Sequence, residues 1–160
     1  MKHFIPLKFK VVDGTALGRA CIATQNIVEG EIICKMHGVE ITYKQFSEKF
    51  GNNCDDLLQI DTETYIELSE PYIFFNHSCA PNAGMRNRGV LFALRAINPG
   101  EEITVDYSST ADDLNWQMSC KCGSPNCRKL IGDFQSLPHE MQEFYREKGA
   151  LMDYLLKMYY

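Results

Sequence analysis

The chain has 160 residues, 45% of them hydrophobic, and a formal net charge of −5. That length supports one domain around one core, since a chain of this size buries about 70% of its unfolded surface, and neither a membrane span nor an apolar leader stands in the sequence. The acidic balance disfavours general nucleic-acid binding and suits a cationic partner such as a lysine-rich peptide, although a solvated acidic surface accounts for the charge equally well.

Along the chain, short apolar runs separated by Gly, Pro, Asn and Asp predict strands at 9–12, 20–24, 32–36, 57–60, 65–68, 90–94 and 103–107. Thr42-Tyr43-Lys44-Gln45 has the form of a capping box and opens a short helix to about Phe50. Asn87-Arg88-Gly89 and Asn98-Pro99-Gly100 predict turns; in the second, proline sets φ ahead of a glycine that tolerates positive φ. From Pro138 to Lys157, Met141, Phe144, Tyr145, Leu151 and Leu155 recur at mostly helical spacing, continuing to Met158. A C-terminal helix, broken or kinked at Gly149, is expected to pack on the sheets rather than to bind a partner. No repeat, low-complexity tract or linker interrupts this mainly β pattern.

Seven cysteines, an odd number, fit a disulfide framework poorly. Cys79, within Phe75-Asn76-His77-Ser78-Cys79-Ala80-Pro81-Asn82, can join Cys120, Cys122 and Cys127, within Cys-Lys-Cys-Gly-Ser-Pro-Asn-Cys, in one four-thiolate Zn²⁺ centre. Such a centre has no open position and so holds the chain rather than reacts, and the Gly-Ser-Pro-Asn turn aims the sulfurs inward. Cys21, Cys34 and Cys54 then remain as thiols, which suits an intracellular setting, cytoplasmic or nuclear. Asn76-His77-Ser78 also matches a glycosylation acceptor, an accidental match without a secretory signal. Tying the segment after residue 119 to Cys79 folds the chain over Gly100-Glu101-Glu102-Ile103-Thr104-Val105-Asp106-Tyr107. A buried tyrosine beside the Asn-His-Ser-Cys turn is then a candidate site.

These motifs resemble, in order and spacing, those of the SET-domain lysine methyltransferases with a post-SET zinc segment. Ala16-Leu17-Gly18-Arg19-Ala20 together with Asn26-Ile27-Val28-Glu29-Gly30-Glu31-Ile32-Ile33 is similar to the opening SET motif, so the likeness spans roughly residues 9 to 134. The resemblance implies a mainly β (α+β) SET fold of several short sheets, with a knot-like C-terminal threading, a post-SET zinc knot and a C-terminal helix. It divides the chain into a SET domain at 1–118, a zinc segment at 119–134 and a helical tail at 135–160 packed on the same domain. It further implies methyl transfer from S-adenosylmethionine to the ε-amine of a lysine in a protein or peptide, histone tails among the candidates, with one structural zinc ion. Tyr107 would be the catalytic tyrosine. Asn76 would bind the methionine part of the cofactor through its side chain, His77 the adenine through its backbone, Leu17 and Gly18 would present main-chain atoms, and Leu130 would cover the adenine. A free lysine amine has a pKa near ~10.4, so the site must desolvate it and align it with the methyl group, which a narrow aromatic channel can do.

The chain departs from that family where Ala16-Leu17-Gly18 replaces Gly-x-Gly, and where Met36 and Met85 stand in place of frequent channel aromatics. Trp116 could supply the missing wall. Asp106 is expected to support the strand end, and Glu101 and Glu102 to solvate the turn. Two rivals remain: a non-catalytic SET-like module that binds a basic peptide, favoured by the two methionines, and a zinc-ribbon interaction protein, which leaves the long β-rich stretch unexplained. A dinucleotide fingerprint is absent, which disfavours a Rossmann-type methyltransferase.

Overall fold

In the computed structural model, which describes residues 7–50, 56–112 and 116–160, the apolar runs become small antiparallel sheets of two or three strands. The strands are β1 (Phe9–Thr15), β2 (Gly18–Ala23), β3 (Ile32–Lys35), β4 (Gly38–Thr42), β5 (Leu57–Asp61), β6 (Thr64–Leu68), β7 (Ala83–Arg86), β8 (Val90–Ala93), β9 (Met118–Ser119) and β10 (Leu130–Ile131). Three α-helices join them: α1 (Tyr43–Phe50), α2 (His139–Glu147) and α3 (Asp153–Tyr159). β1 pairs with β2 and β9 with β10, while the three-stranded sheets run β3-β8-β7 and β4-β6-β5. Cys54 lies outside the described residues.

The capping box forms as expected. Gln45 N–H donates to Thr42 Oγ1 at 3.3 Å while Thr42 N–H donates to Gln45 Oε1 at 2.8 Å, so two donors at the start of α1 are satisfied reciprocally. Asn87 and Gly89, both at positive φ, turn the chain between β7 and β8, where Arg86 faces Val90. The C-terminal pattern is two helices rather than one. Gly149 (φ +62°) ends α2 in a Schellman motif, with Ala150 N–H on the Tyr145 carbonyl at 2.8 Å and Gly149 N–H on that of Arg146 at 3.0 Å. Tyr145 of α2 and Leu155 of α3 are fully buried in the main core with Ile27, Leu91, Ile103 and Phe134, so the tail packs on the sheets.

The segment 103–107 differs from the continuous strand expected there. Its partners are single residues of three separate segments: Ile103 N–H donates to Cys21 O (2.8 Å), Ala83 N–H to Thr104 O (3.0 Å), Val105 N–H to Asn76 O (3.0 Å) and Ser78 N–H to Val105 O (3.0 Å). Asn82 secures this passage with both ends of its amide, Nδ2 donating to Glu102 O at 2.8 Å and Oδ1 accepting from Thr104 N–H at 2.9 Å. The chain that delivers Tyr107 is thereby threaded between the Asn76–Ser78 turn and Asn82–Ala83. A short 3₁₀ turn, Tyr107–Ser109, follows, capped by the Asp106 carboxylate.

Candidate functional site

The β9–β10 hairpin carries three of the cysteines. Cys120 N–H donates to Lys129 O at 2.7 Å and Cys127 N–H to Ser124 O at 3.0 Å, the second bond closing the turn that follows Gly123 (φ +75°). Cys79 comes from the Asn-His-Ser turn, and the four Sγ atoms of Cys79, Cys120, Cys122 and Cys127 all lie within 4.8 Å of one another. Cys79 Sγ and Cys120 Sγ are 3.8 Å apart. Four sulfurs at ~2.3 Å from a tetrahedral Zn²⁺ have edges of about 3.8 Å, so the donor set fits that ion. Burial pushes the Cys120 thiol up to about 12. At Cys122 burial also acts upward, but the backbone N–H groups of Cys79 and Ser124 and the neighbouring thiols outweigh it and draw the group down to about 6. Four thiolates this close repel one another, and a cation held among them is what lets all four coexist.

His77 ties this cluster to Tyr107. Its Nδ1 accepts the Tyr107 N–H at 3.1 Å, which leaves the ring proton on Nε2, 3.3 Å from Cys79 Sγ. Burial holds the imidazole down to about 4, with Arg128 acting in the same direction and Asp106 against it, so the ring is neutral near pH 7. Asp106, fully buried, anchors a second link. Arg128, next to Cys127, donates to both its carboxylate oxygens at 2.7 and 2.8 Å, and Tyr145 of α2 donates its hydroxyl to Oδ2 at 2.8 Å. The carboxylate expected to support the strand end therefore also fastens the cysteine hairpin and the tail helix to it. The loss of hydration that would make a buried aspartate costly is offset by this bidentate pair and two further donors.

Two cavities share Tyr107 and Met118 in their walls. The smaller, about 280 Å³, is walled by Leu17, Asn76, His77 and the run Ser119–Cys122. The larger, about 580 Å³, is mostly apolar and aromatic, with Met36, Tyr72, Phe75, Met85 and Trp116 in its lining. Trp116 thus supplies an aromatic wall beside the two methionines. The Tyr107 hydroxyl donates to Phe75 O at 2.8 Å, which fixes its direction. Burial, followed by the nearby Asp56, Cys21 and Glu102, pushes this phenol up to about 12. It remains protonated at working pH, and its oxygen lone pairs can accept a hydrogen bond.

Leu17, Asn76 and His77, three residues expected at a cofactor, meet at the smaller cavity. Gly18 follows Leu17 at φ +94°, and Leu130, 54% exposed, stands across the β9–β10 pair from the wall residue Ser119. Asn76 has a specific arrangement. Its Nδ2 donates to Arg19 O at 2.9 Å and to Glu102 Oε1 at 2.8 Å, leaving Oδ1 to accept from a ligand. Sequence reasoning placed Glu102 on the turn surface; in the structure it orients Asn76, while Glu101 does cap the turn through Asn98 N–H at 2.6 Å. No local pattern separates these two adjacent glutamates, since the partner of Glu102 lies 26 residues away.

The family profile described as SET domain matches residues 18–108. The probable histone-lysine N-methyltransferase lin-59 of Caenorhabditis elegans is 34% identical over 113 residues, covering 64% of this chain and 8% of its own length. Histone-lysine N-methyltransferase ash1 of Drosophila melanogaster is 32% identical over 124 residues, covering 66% of this chain and 5% of its own. The chain thus spans less than a tenth of the length of these two relatives. Among solved structures, KRYPTONITE in complex with mCHH DNA, H3(1-15) peptide and SAH superposes with a TM-score of 0.59 at 26% identity, over 79% of this chain and 30% of that one. The fold is accordingly the mainly β SET fold that the motifs led one to expect.

Proposed function

The chain belongs to the SET-domain family, and on that premise we propose that it is a protein-lysine N-methyltransferase that uses S-adenosylmethionine. The observation that carries this reading is the position of Tyr107 in the walls of both cavities, which lets a methyl donor on one side and a lysine amine on the other approach the same phenol. S-adenosylmethionine supplies a methyl group on a sulfonium that an uncharged amine can attack. Everything else falls to the chain. Asn76 Oδ1 accepts from the cofactor's ammonium, the His77 backbone borders its adenine, Leu17 and Gly18 present main-chain atoms to it, and Ser119–Cys122 close the smaller cavity. On the other side, Met36, Met85, Phe75 and Trp116 exclude water from the amine, and the Tyr107 oxygen accepts a hydrogen bond that aims its lone pair. With its phenol pushed up to about 12, Tyr107 orients the amine without serving as a base.

One zinc ion held by Cys79, Cys120, Cys122 and Cys127 keeps the 119–134 segment over the cofactor, with 1–118 forming the SET domain and 135–160 its tail. Histone tails are the first substrates to consider, because relatives are named histone-lysine methyltransferases and one similar structure holds an H3 peptide. Four thiolates and a zinc ion suit a reducing intracellular compartment. The test is mass spectrometry of a histone-tail and proteome-derived peptide panel after incubation with zinc-loaded protein and S-adenosylmethionine. Methyl additions on lysine are expected; a panel with none, while the protein binds cofactor, would favour the non-catalytic binding module instead.

A further inference from the structure

The C-terminal tail holds the segment around and after Tyr107 through the hydroxyls of three tyrosines. Tyr145 of α2 donates to Asp106 Oδ2 at 2.8 Å, Tyr154 of α3 to Thr110 O at 2.8 Å, and Tyr159 of α3 to Asp112 Oδ1. Phe134 N–H adds a bond to Ala111 O at 2.9 Å, and the Phe134 ring packs on that of Tyr159 with 4.9 Å between centroids. The same segment borders the larger cavity, which Thr110 and Ala111 line together with Gln59, the acceptor of the Asp112 N–H at 2.9 Å. Thr110 is tied back to Tyr107, since its N–H and its Oγ1 both donate to the Tyr107 carbonyl, at 3.1 and 2.9 Å. One residue, Thr110, therefore links a tail hydroxyl to the backbone of Tyr107.

We propose that Tyr154 is a positioning residue for the methyl transfer, its hydroxyl fixing Thr110 and, through it, both the carbonyl side of Tyr107 and a wall of the larger cavity. This rests on the reading of that cavity as the lysine side of a methyltransferase. The N–H side of Tyr107 is held by His77, whereas its carbonyl side depends on the turn that Thr110 closes and on what holds Thr110. Tyr154 and Thr110 are both buried, where water does not readily replace a lost donor to the Thr110 carbonyl. Group transfer is steep in geometry, a misplacement of ~1 Å costing about a hundredfold in rate. The bonds of Tyr145, Tyr159 and Phe134 remain when the Tyr154 hydroxyl is removed, so the expected loss is a fraction of that. The Tyr154 bond involves neither the smaller cavity's lining nor the cysteines, so its effect falls on rate and not on cofactor or zinc.

The test uses zinc-loaded parent protein, Tyr154→Phe, and Ile97→Val as a control that deletes one buried methyl group elsewhere in the core, a loss of stability similar to that of one hydrogen bond. In Tyr154→Phe the single-turnover rate at saturating peptide and S-adenosylmethionine should fall three- to tenfold, with peptide KM, cofactor affinity and zinc content within twofold of the parent. Trp116, the chain's single tryptophan, lines the larger cavity and gives a readout that needs no activity: its fluorescence should be quenched more readily by acrylamide in Tyr154→Phe. Tyr159→Phe, which releases Asp112 on the same segment, should change both readouts in the same direction. Ile97→Val should change neither. A parent-like rate in Tyr154→Phe, or an equal fall in Ile97→Val, would overturn the positioning role. If the parent protein transfers no methyl group yet quenching rises in the two tyrosine variants alone, the methyltransferase reading fails and the tail's hold on the cavity wall stands.

Discussion

In the proposed function, Asn76 joins the structure to the chemistry through one amide. Both of its N–H bonds are occupied, by Arg19 O and by Glu102, so the orientation of Oδ1 is set before any ligand arrives. A pre-oriented acceptor loses little freedom on binding, and removing it leaves the ligand's ammonium unmatched. Asn76→Ala is therefore expected to weaken S-adenosylmethionine by about 1 to 3 kcal/mol in calorimetry, with the fold retained. Unchanged affinity would take Asn76 out of the cofactor site. The amide itself was legible in the sequence, because it sits in a compact motif. Its supports were not, because Arg19 and Glu102 come from distant positions in the chain and bring backbone and carboxylate atoms together only after the 103–107 segment has been threaded. The same holds for His77: the motif drew attention to its backbone, whereas its side chain links Cys79 to the Tyr107 N–H.

At the level of elements, the runs at 9–12, 20–24, 32–36, 57–60, 65–68 and 90–94 all became strands, since each puts a continuous or alternating apolar set into the core. β4 escaped notice because only Ile41 of its five residues is buried, which leaves no apolar run to read. β9 and β10 are two residues each and take their place from the cysteine hairpin rather than from hydrophobicity. That hairpin is held at both ends: by the sulfur cluster, and by Arg128 on Asp106, which Tyr145 of α2 also engages. Since Ser119–Cys122 wall the smaller cavity, loosening the hairpin should reach the proposed cofactor site. Elemental analysis of freshly purified protein should give one zinc per chain. Cys122→Ser should lower that content and reduce cofactor affinity at least tenfold, a loss of about 1.4 kcal/mol or more. Zinc-free protein with full cofactor affinity would refute the structural role of the cluster.

For the whole molecule, the arrangement is one in which separate small sheets are locked by a threaded segment, and the residue at the end of that segment is the wall between two cavities. Asn82 fixes Glu102 and Thr104 ahead of Tyr107, His77 accepts the Tyr107 N–H itself and the Asp106 carboxylate accepts the Ser108 N–H just after it, so the backbone that carries the ring is held from both sides. The hydroxyl, in contrast, makes one hydrogen bond among the described residues, to Phe75 O. Tyr107→Phe consequently separates chemistry from packing: the ring and its wall remain, while loss of that bond costs about 1 kcal/mol of stability. The decisive measurement is single-turnover methyl transfer by this variant beside the parent protein, on the best peptide from the panel, with zinc content and cofactor affinity determined on the same samples. The account predicts zinc and cofactor binding unchanged and a rate at least tenfold lower, a barrier increase of about 1.4 kcal/mol or more. A parent-like rate in the Tyr107→Phe protein would contradict it.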